Sequence, residues 1–561
     1  MCRVAAVLII ILLITPALAN DEGNYAIIKN GNGRTLYVGG EGSGNYSKIQ
    51  DAIDNATDGD KIVVYPKVYK ENVVINKSLT LIGLNFPIID ACGKGDAMNI
   101  TANNCYIKGF NITGVKENAT NHAGIKICSS ENVIMNNIIW KCESNGIYLK
   151  NSERNNISNN VIVYTRWYSI YLRNSSNNTF FNNTISSKIS GDGITMYSSS
   201  NNLFIKNWIY KNNVGISTSF GKGSYYNNFT GNLVEDNIFG MFLGSKNTII
   251  KNIFTNNYGG GLRISGGNNV IKNNKFKNCG IMIWNGVNVI ENNTANGKPI
   301  YSYMNEKEKT VPEDAAQIIL INCTDFLIQN ITFSDVDCAI ALLNSSHNLI
   351  RNCTVKLTYK INYPDMAVYL YHSNNNTILD NDFSHTLYGI NLQNSHDNIV
   401  ANNILEHSIF HGIGMSVSSR NLIKENNISI TREEGISLEK SEYNRIYYNR
   451  ISLSGEAGIM IENSGRNSIF GNYLMKNGVG IYIELSYLNI IKNNNFVDNQ
   501  KDAFFGGSYL NTWFRNYWDK WRLPLPKPIF GLQGVPWSII GIPWIQFDWM
   551  PRLFPYVGEG K

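Results

Sequence analysis

Charge and helix-forming stretches are scarce in this sequence. Charged residues make up 16% of the 561 residues, and 49 Lys and Arg against 43 Asp and Glu leave a net charge of only +6. A basic nucleic-acid-binding domain and a charged disordered chain are both excluded, because each needs many more charges. After the first twenty residues, no segment is long and apolar enough to cross a bilayer. With 43% hydrophobic residues, the sequence predicts a folded protein that has no nucleic-acid partner.

The cysteines lack a recognisable metal or redox spacing. No two form a Cys-x-x-Cys pair, so neither a zinc ribbon nor a thioredoxin-like site is indicated. Export permits disulfides, but the spacing leaves the pairing open, and several cysteines can equally be buried thiols. Eight follow the first twenty residues: Cys92, Cys105, Cys128, Cys142, Cys279, Cys323, Cys338 and Cys353.

The N-terminus has the pattern of a secretory signal. Arg3 precedes an unbroken apolar run over 4–14, and small residues follow at Ala17 and Ala19. This arrangement is typical of a cleaved signal peptide, and an apolar stretch of about 15 residues is short for a membrane span. We predict a signal peptide over 1–19, with an uncleaved anchor as the alternative. The protein is then extracellular, on the cell surface or periplasmic, without a transmembrane span after signal removal.

Asparagine is present in large excess. The chain has 84 Asn, about 15% of its residues, and Asn favours turns and left-handed backbone positions over helices. Segments that begin with Gly-Ile and end in Asn-Ser recur, as at Gly146, Gly389 and Gly458. The residue after the glycine, or its equivalent, recurs mostly every 22 to 24 positions: Ile125, Ile147, Ile170, Ile194, Ile216, Met241, Leu262, Ile281, Ile318, Ile340, Val368, Ile390, Ile413, Ile436, Ile459, Ile481 and Phe504.

A fixed period of this length indicates a solenoid. Within each repeat, apolar and polar residues alternate over short stretches, which predicts β-strands. We therefore predict an all-β fold, a single-stranded right-handed parallel β-helix. Its coils stack about 4.8 Å apart, and Asn at the bends takes left-handed positions and bonds the equivalent Asn one coil away. A leucine-rich repeat has a similar period, but the β-branched strands and Asn turns argue against it.

Caps are predicted at both ends of the solenoid, because open strand edges invite aggregation. An N-terminal helical cap begins with a capping box at Ser47 and Gln50, and a C-terminal cap is rich in Trp and Pro, with an aromatic partner-binding tail as the alternative. The predicted organisation after the signal is N-terminal strands and cap over 20–97, a first β-helix half over 98–295, a hairpin insertion over 296–317, a second half over 318–511 and the C-terminal cap over 512–561.

Several segments resemble a known family. Residues 37–40, 46–53, 58–65 and 69–75 resemble the start of many secreted parallel β-helix proteins. The Asn-rich repeats, with 296–301 and the terminal Asn-Tyr-Trp-Asp at 516–519, resemble the periplasmic copper-binding NosD family within the wider carbohydrate-binding and sugar-hydrolase (CASH) β-helix group. The resemblance covers nearly the whole mature chain. It implies the β-helix fold, and it allows polysaccharide lyases, hydrolases, copper-maturation accessories and surface proteins without assigned activity.

Stacked coils allow the outward-facing residues to be aligned in columns. Two columns form a basic and aromatic patch on one sheet. Aromatic faces suit sugar rings, and the cations suit uronate or sulfate groups, so we predict ligand binding here; ordinary cross-strand stabilisation is the alternative. The first column holds Lys126, Tyr148 and Tyr171, and the second holds Lys150, Arg173 and Tyr197.

Three carboxylates fall in one column of the second half. Glu439, Glu462 and Glu484 lie in adjacent coils, where like charges about 5 Å apart repel unless something compensates. A calcium ion would compensate them. The alternative is that they point into water or pair with Lys440 and Arg466.

Histidines form a second candidate metal site. His385 and His407 each follow the Ile position of their coil by 17 residues and should stack, with His411 on the same bend. Convergent imidazoles can bind copper or zinc, although histidines are also common on surface turns.

The sequence contains no recognisable catalytic carboxylate set of the kind that glycoside hydrolases use. We therefore expect a secreted or cell-surface β-helix protein with a non-catalytic, polysaccharide-binding or structural role in the envelope. A polysaccharide lyase or glycoside hydrolase and a periplasmic copper-handling accessory are the alternatives. The expected partner is a polysaccharide or cell-envelope glycan, and numerous Asn-x-Ser/Thr sequons allow a glycoprotein.

Overall fold

The computed structural model describes residues 33–116, 121–188, 190–220, 223–356, 366–534 and 541–557. The predicted signal peptide over 1–19 lies outside this range. No helix within it has the length and apolar character that a membrane crossing requires. The chain divides into two compact units: unit 1 extends to Asn257 and includes Leu262–Asn274, and unit 2 comprises Tyr258–Gly261 and the chain from Lys275 onward.

Unit 1 consists of short strands and one helix, α1, at Ile49–Asn55. Most strands pair in parallel with the strand three positions later in the chain. The strands therefore form three sheets, which are the sides of a solenoid. In chain order, β1 to β29 are Thr35–Val38, Lys61–Val64, Val68–Tyr69, Val73–Ile75, Thr80–Gly83, Ile88–Asp90, Met98–Ile100, Tyr106–Lys108, Asn111–Thr113, Ala123–Ile127, Val133–Met135, Ile138–Trp140, Asn145–Lys150, Asn156–Ser158, Val161–Thr165, Tyr168–Arg173, Thr179–Phe181, Thr184–Ser187, Asp192–Tyr197, Leu203–Ile205, Trp208–Tyr210, Val214–Phe220, Asn228–Thr230, Leu233–Glu235, Phe239–Leu243, Thr248–Ile250, Ile253–Thr255, Leu262–Ile264 and Val270–Lys272.

Unit 2 repeats the arrangement and ends in an antiparallel hairpin. In chain order, β30 to β62 are Lys275–Lys277, Ile281–Ile283, Val289–Glu291, Thr294–Ala295, Lys298–Met304, Gln317–Ile321, Leu327–Gln329, Thr332–Ser334, Cys338–Leu343, Leu349–Arg351, Thr354–Lys356, Met366–Tyr371, Thr377–Leu379, Tyr388–Gln393, Ile399–Ala401, Ile404–Glu406, Ile413–Ser416, Leu422–Lys424, Asn427–Ser429, Ile436–Glu439, Arg445–Tyr447, Arg450–Ser452, Ala457–Glu462, Ser468–Phe470, Tyr473–Met475, Val479–Glu484, Ile490–Lys492, Asn495–Val497, Lys501–Gly506, Thr512–Phe514, Tyr517–Trp518, Lys527–Gly534 and Gly541–Asp548.

The pairing register follows the sequence period. In unit 1, Ile125 lies opposite Ile147, Ile147 opposite Ile170, and Ile170 opposite Ile194. All four are fully buried, because the two-residue alternation of a strand places them on the inner face. The predicted all-β parallel solenoid is confirmed.

Unit 2 keeps the same register with one difference at its end. The column from Ile340 to Ile481 is as predicted. Ala503, and not Phe504, lies opposite Ile481, while Phe504 lies opposite Tyr482 with ring centroids 5.6 Å apart and planes tilted by 49°. The prediction for Phe504 was wrong because it selected a large residue where the small Ala503 occupies the inner position.

Asparagine has two roles, which the sequence prediction combined in one residue. In the pair Asn182-Asn183, exposed Asn182 takes the left-handed conformation, with φ 51°. Buried Asn183 accepts hydrogen bonds from the backbone and side-chain amides of Asn160, at 3.0 and 3.1 Å, and its own amide donates to Asn207 at 3.0 Å. A similar ladder in unit 2 ends in a carboxylate: Asn381, Asn403, Asn426, Asn449, Asn472, Asn494, Asn516 and Asp548.

The N-terminal helix is capped from outside its own sequence. The predicted capping box is wrong: Lys48 is the N-cap residue, and its side chain makes no capping hydrogen bond. The Glu71 carboxylate accepts from the backbone N–H groups of Ile49 and Gln50, both at 3.0 Å. The Gln50 side chain accepts from the Val74 N–H at 2.8 Å, so it is not available for a capping box.

The segment over 296–317 begins with a tight turn at Asn296 and Gly297, both with positive φ. Here β33 pairs antiparallel with β34, and β34 then pairs in parallel with β35 over five residue pairs. The strand that follows the turn is therefore stacked on the next coil.

Several of the cysteines are inert core residues. Cys105, Cys142, Cys323 and Cys353 are buried thiols. Burial raises the pKa of Cys105 and of Cys353 to about 11, so both stay protonated at neutral pH and are poor nucleophiles and metal ligands.

Candidate functional site

The six residues predicted to bind a ligand lie together on one sheet of unit 1. Lys126 lies opposite Tyr148, and Tyr148 opposite Tyr171. In the second column, Lys150 lies opposite Arg173, and Arg173 opposite Tyr197. Strands β10, β13, β16 and β19 hold these side chains in register, so the two predicted columns exist.

The tyrosine faces are not free for a sugar ring. The rings of Tyr148 and Tyr171 stack on each other with centroids 5.0 Å apart and planes 18° apart, and the ammonium of Lys126 lies 5.8 Å from the Tyr148 ring centroid. Tyr148 is only 2% exposed. The expected aromatic platform is therefore corrected: the spacing between coils matches the stacking distance of aromatic rings, so the rings cover each other.

Cations remain at the surface of this patch. Lys150 and Arg173 are exposed, and the guanidinium of Arg173 lies 5.9 Å from the Tyr197 ring centroid. The ammonium of Lys126 lies 3.4 Å from an Asp96 carboxylate oxygen and is partly neutralised. We call Lys126, Lys150 and Arg173 the cationic strip.

The tyrosines beside the cationic strip keep their protons. Burial raises the pKa of Tyr148, although the positive charge of nearby Arg173 opposes the shift. Burial also raises the pKa of Tyr171. Both side chains are therefore neutral hydroxyl groups at physiological pH. The exposed cations, and not these tyrosines, suit a ligand that carries carboxylate or sulfate oxygens.

The predicted glutamate column exists in unit 2. Glu439 lies opposite Glu462, and Glu462 opposite Glu484. Glu439 contacts the Lys440 ammonium at 2.7 Å, and this hydrogen bond lowers the pKa of Glu439. Arg466 instead lies 3.3 Å from Glu442, so the predicted pairing holds for Lys440 only. Calcium binding by this column stays a prediction.

The histidines are arranged differently from the prediction. His385 and His407 stack as expected, with ring centroids 4.7 Å apart and planes 24° apart. His411 does not join them in a ligand cluster. Within the described ranges, a single group of three or more His, Cys, Asp or Glu has all its ligand atoms within 4.8 Å of one another: His411, Glu433 and Glu434.

The cluster of His411, Glu433 and Glu434 combines an imidazole with closely spaced acids. His411 Nδ1 lies 2.7 Å from a Glu434 carboxylate oxygen. Burial raises the pKa of Glu433; His411 opposes the shift, and Glu434 and Glu456 add to it. The sequence carried a signal for the pair: His411 and Glu434 both stand directly before a Gly-Ile pair, one repeat apart. A comparison of histidines with histidines alone does not reveal this pair, because its two members are different residue types.

Comparison with known families agrees with this architecture. Residues 241–386 match the model of a right handed beta helix region. Residues 53–232 and 358–521, more than half of the chain, match the model of the periplasmic copper-binding protein NosD. The chain belongs to the NosD family. The predicted resemblance and the right-handed form of the β-helix are thereby confirmed.

One curated relative of this NosD-family chain is a cell surface glycoprotein of Methanothermus fervidus. The two are 46% identical over 77 residues, which are 13% of each protein. The match thus spans a small part of the relative's length. The family and this relative fit an exported β-helix surface protein.

Solved structures match the NosD-family chain at low identity and with low TM-scores. Pectate lyase Pel9A is 14% identical with a TM-score of 0.35, covering 48% of this chain and 80% of the lyase. A rhamnogalacturonan lyase is 16% identical with a TM-score of 0.39, covering 47% and 88%. DFA-IIIase from Arthrobacter chlorophenolicus A6 is 15% identical with a TM-score of 0.36, covering 62% and 94%. Similarity at this level carries no argument about activity.

The copper that the NosD family name implies finds no matching ligand set among the described residues. The stacked rings of His385 and His407 lie face to face, whereas shared ligands must direct nitrogens at one ion about 2 Å away. His411 lies with carboxylates, which suit harder ions than copper(I). Copper binding by His385, His407 and His411 therefore stays a prediction without geometric support.

Proposed function

We propose that the protein is a non-catalytic polysaccharide-binding protein of the cell surface, and that an acidic glycan lies along the cationic strip. The observation that carries this proposal is that Lys150 and Arg173 are exposed and directly adjacent across β13 and β16. Two cations about one coil apart match the repeated charges of a polyuronate or sulfated glycan.

The stacked tyrosines support this role by holding the cations in place. The Lys126 ammonium lies 5.8 Å from the Tyr148 ring centroid, and the Tyr148–Tyr171 stack fixes the ring positions. The Arg173 guanidinium lies 5.9 Å from the Tyr197 ring centroid. A rigid site loses less conformational entropy when it binds. Arginine also binds carboxylate and sulfate oxygens through two parallel N–H groups. The strip therefore offers an ordered surface to an extended anionic chain.

Charge reversal of the cationic strip should weaken glycan binding. We expect the double variant Lys150→Glu/Arg173→Glu to bind polygalacturonate at least about tenfold more weakly, which corresponds to about 1.4 kcal/mol, because two attractive contacts become repulsive. Binding by the parent protein should also weaken with added salt, since exposed charges are screened. Titration calorimetry measures both effects.

The matched control is Lys211→Glu/Lys251→Glu. It makes the same change in net charge at exposed lysines of unit 1 outside the strip and should retain parental affinity. Equal losses in both variants would show that only net charge matters and would refute the assignment of the site. Release of shortened glycan products by the parent protein would instead support the lyase or hydrolase alternative.

A second candidate function is divalent cation binding in unit 2. The contact between His411 Nδ1 and a Glu434 carboxylate oxygen at 2.7 Å brings two metal-ligating atoms together. A ligand atom of Glu433 lies within 4.8 Å of both. One imidazole and two carboxylates suit Zn²⁺. We propose this cluster as a zinc-class site.

Removal of one ligand should abolish tight zinc binding. We expect His411→Ala and Glu434→Gln each to weaken Zn²⁺ affinity at least about tenfold, because each removes one of three ligands. Calorimetry with ZnCl₂ measures the affinity. His347→Ala, at an exposed histidine of unit 2, is the control and should bind zinc like the parent. Parental affinity in both cluster variants would disprove the site.

A further inference from the structure

Exposed apolar side chains are concentrated at the end of unit 2. Strands β61 and β62 form an antiparallel ribbon, with Phe530 opposite Ile545 and Pro528 opposite Phe547. An antiparallel sheet usually turns a polar face to water, but here the outer face of the ribbon is apolar. Its exposed side chains are Phe530, Leu532, Ile545 and Phe547.

The residues after the ribbon extend this surface. Trp549 packs against Phe547 with ring centroids 5.3 Å apart and planes tilted by 39° and is 64% exposed; Phe554 is 77% exposed. We call the outer face of β61 and β62 together with Trp549, Met550 and Phe554 the terminal apolar face. A concentration of exposed apolar side chains marks an interaction site.

Basic residues outnumber acids in the segment that carries this face, although Asp502 interacts electrostatically with Lys520 and Lys527. From Lys520 to Val557 the sequence has four basic residues and a single acid, Asp548. Asp548 is fully buried and accepts hydrogen bonds from the backbone N–H groups of Arg515 and Asn516 and from the Trp518 indole. The four basic residues are Lys520, Arg522, Lys527 and Arg552.

We propose that the terminal apolar face docks onto the surface of an anionic lipid bilayer. Tryptophan and phenylalanine beside lysine and arginine are the composition of segments that lie in the membrane interface: the rings enter the boundary of the acyl chains, and the cations contact the lipid phosphates. A second copy of this chain is a poorer occupant, because the excess of basic residues in its terminal segment would repel the same excess in this one. The ribbon lies on the bilayer and does not span it.

The ribbon is suited to partial burial in lipid. Eight residue pairs join β61 and β62, from Lys527 with Asp548 to Gly534 with Gly541. The hydrogen bonds of this pairing satisfy the backbone N–H and C=O groups that each strand directs at the other. A backbone near hydrocarbon requires its polar groups to be satisfied in this way. The side chains of Phe530 and Ile545 can therefore enter the interface without exposing the hydrogen bonds between the strands.

Vesicle co-sedimentation tests the proposal with the full chain. We expect the protein to sediment with vesicles of 30% phosphatidylglycerol in phosphatidylcholine and much less with pure phosphatidylcholine. Phe530→Ser/Ile545→Thr should lower the partition coefficient at least about tenfold, and Lys520→Glu/Arg522→Glu should remove the preference for anionic vesicles. Tryptophan emission should shift to shorter wavelength on binding.

The control replaces similar side chains elsewhere. Tyr226→Ser/Ile253→Thr alters one exposed aromatic and one exposed isoleucine of unit 1 and should sediment like the parent protein. Circular dichroism spectra that match the parent establish that the variants are folded. A parent protein that stays in the supernatant with both vesicle types overturns the proposal. So does a parent dimer, seen by analytical ultracentrifugation, that Phe530→Ser/Ile545→Thr dissociates, because a second copy then covers the face.

Discussion

Asn421→Ala should lower the free energy of unfolding by about 3 to 4 kcal/mol, because each buried polar group that loses its partner costs about 1 to 3 kcal/mol. Asn421 is fully buried in the middle of a ladder. Its side-chain oxygen accepts from the backbone and side-chain amides of Asn398 at 2.9 and 3.1 Å. Its amide donates to the Ser395 carbonyl at 3.0 Å and to Asn444 at 3.1 Å. Alanine removes all four hydrogen bonds.

Urea unfolding followed by circular dichroism measures this loss. The control Asn427→Ala lies in the same coil on the outer side of β48, half-buried, and should change stability by less than about 0.5 kcal/mol. Hydrogen exchange should also accelerate in the coils that contain Asn398 and Asn444, because solenoid coils are stabilised by their direct neighbours. Equal stability of the two variants would show that the ladder contributes little.

Gly412→Ala should lower the free energy of unfolding by about 2 to 3 kcal/mol, the usual cost of adding atoms to a filled interior. A β-carbon at Gly412 would lie 2.6 Å from a methyl group of Ile428 and 2.8 Å from the carbonyl oxygen of Gly435. That carbonyl accepts the Ile413 N–H at 3.0 Å. The added methyl group therefore pushes adjacent coils apart at a backbone hydrogen bond.

Gly414 provides the matched control within the same coil. A β-carbon at Gly414 would meet its nearest neighbour, a ring carbon of His411, at 3.6 Å, which is ordinary contact. Gly414→Ala should leave stability unchanged or raise it by up to about 1 kcal/mol, since alanine restricts the unfolded chain. Thermal and urea unfolding of the two variants give the comparison. Destabilisation by Gly414→Ala equal to that of Gly412→Ala would contradict the close-approach argument.

The period of the sequence was sufficient to predict the fold and most of the register. Each coil repeats the same inward residue, so counting from Ile147 locates Ile170 and from Ile390 locates Ile413. The count failed at Ala503, where two large apolar residues follow a small one. The prediction of the helix cap failed for another reason. The Glu71 carboxylate accepts a hydrogen bond from the Ile49 N–H, 22 residues away, and a motif within one segment does not include such a contact.

The positions of most candidate site residues were predicted correctly, but their burial and their contacts were predicted less well. Columns placed Tyr148 on Tyr171 correctly, yet the burial of Tyr148 depends on how its neighbours pack, which a column does not show. The pairing of His411 with Glu434 joins different residue types in one column, so a search for repeated identical residues missed it. The terminal apolar face depends on the antiparallel pairing of Phe530 with Ile545, and these residues lie outside the repeat.

The asparagine ladder has a direction, and Asp548 ends it. Each Asn donates to the oxygen of the following coil, as Asn494 does to Asn516, and the Asp548 carboxylate accepts from Asn516. Within the described residues the Asp548 side chain only accepts hydrogen bonds, so no further rung is needed. Because the rungs between are interchangeable, whole repeats can be duplicated or deleted without redesign of either terminus. The number of coils is thus free to vary during evolution while the two ends stay the same.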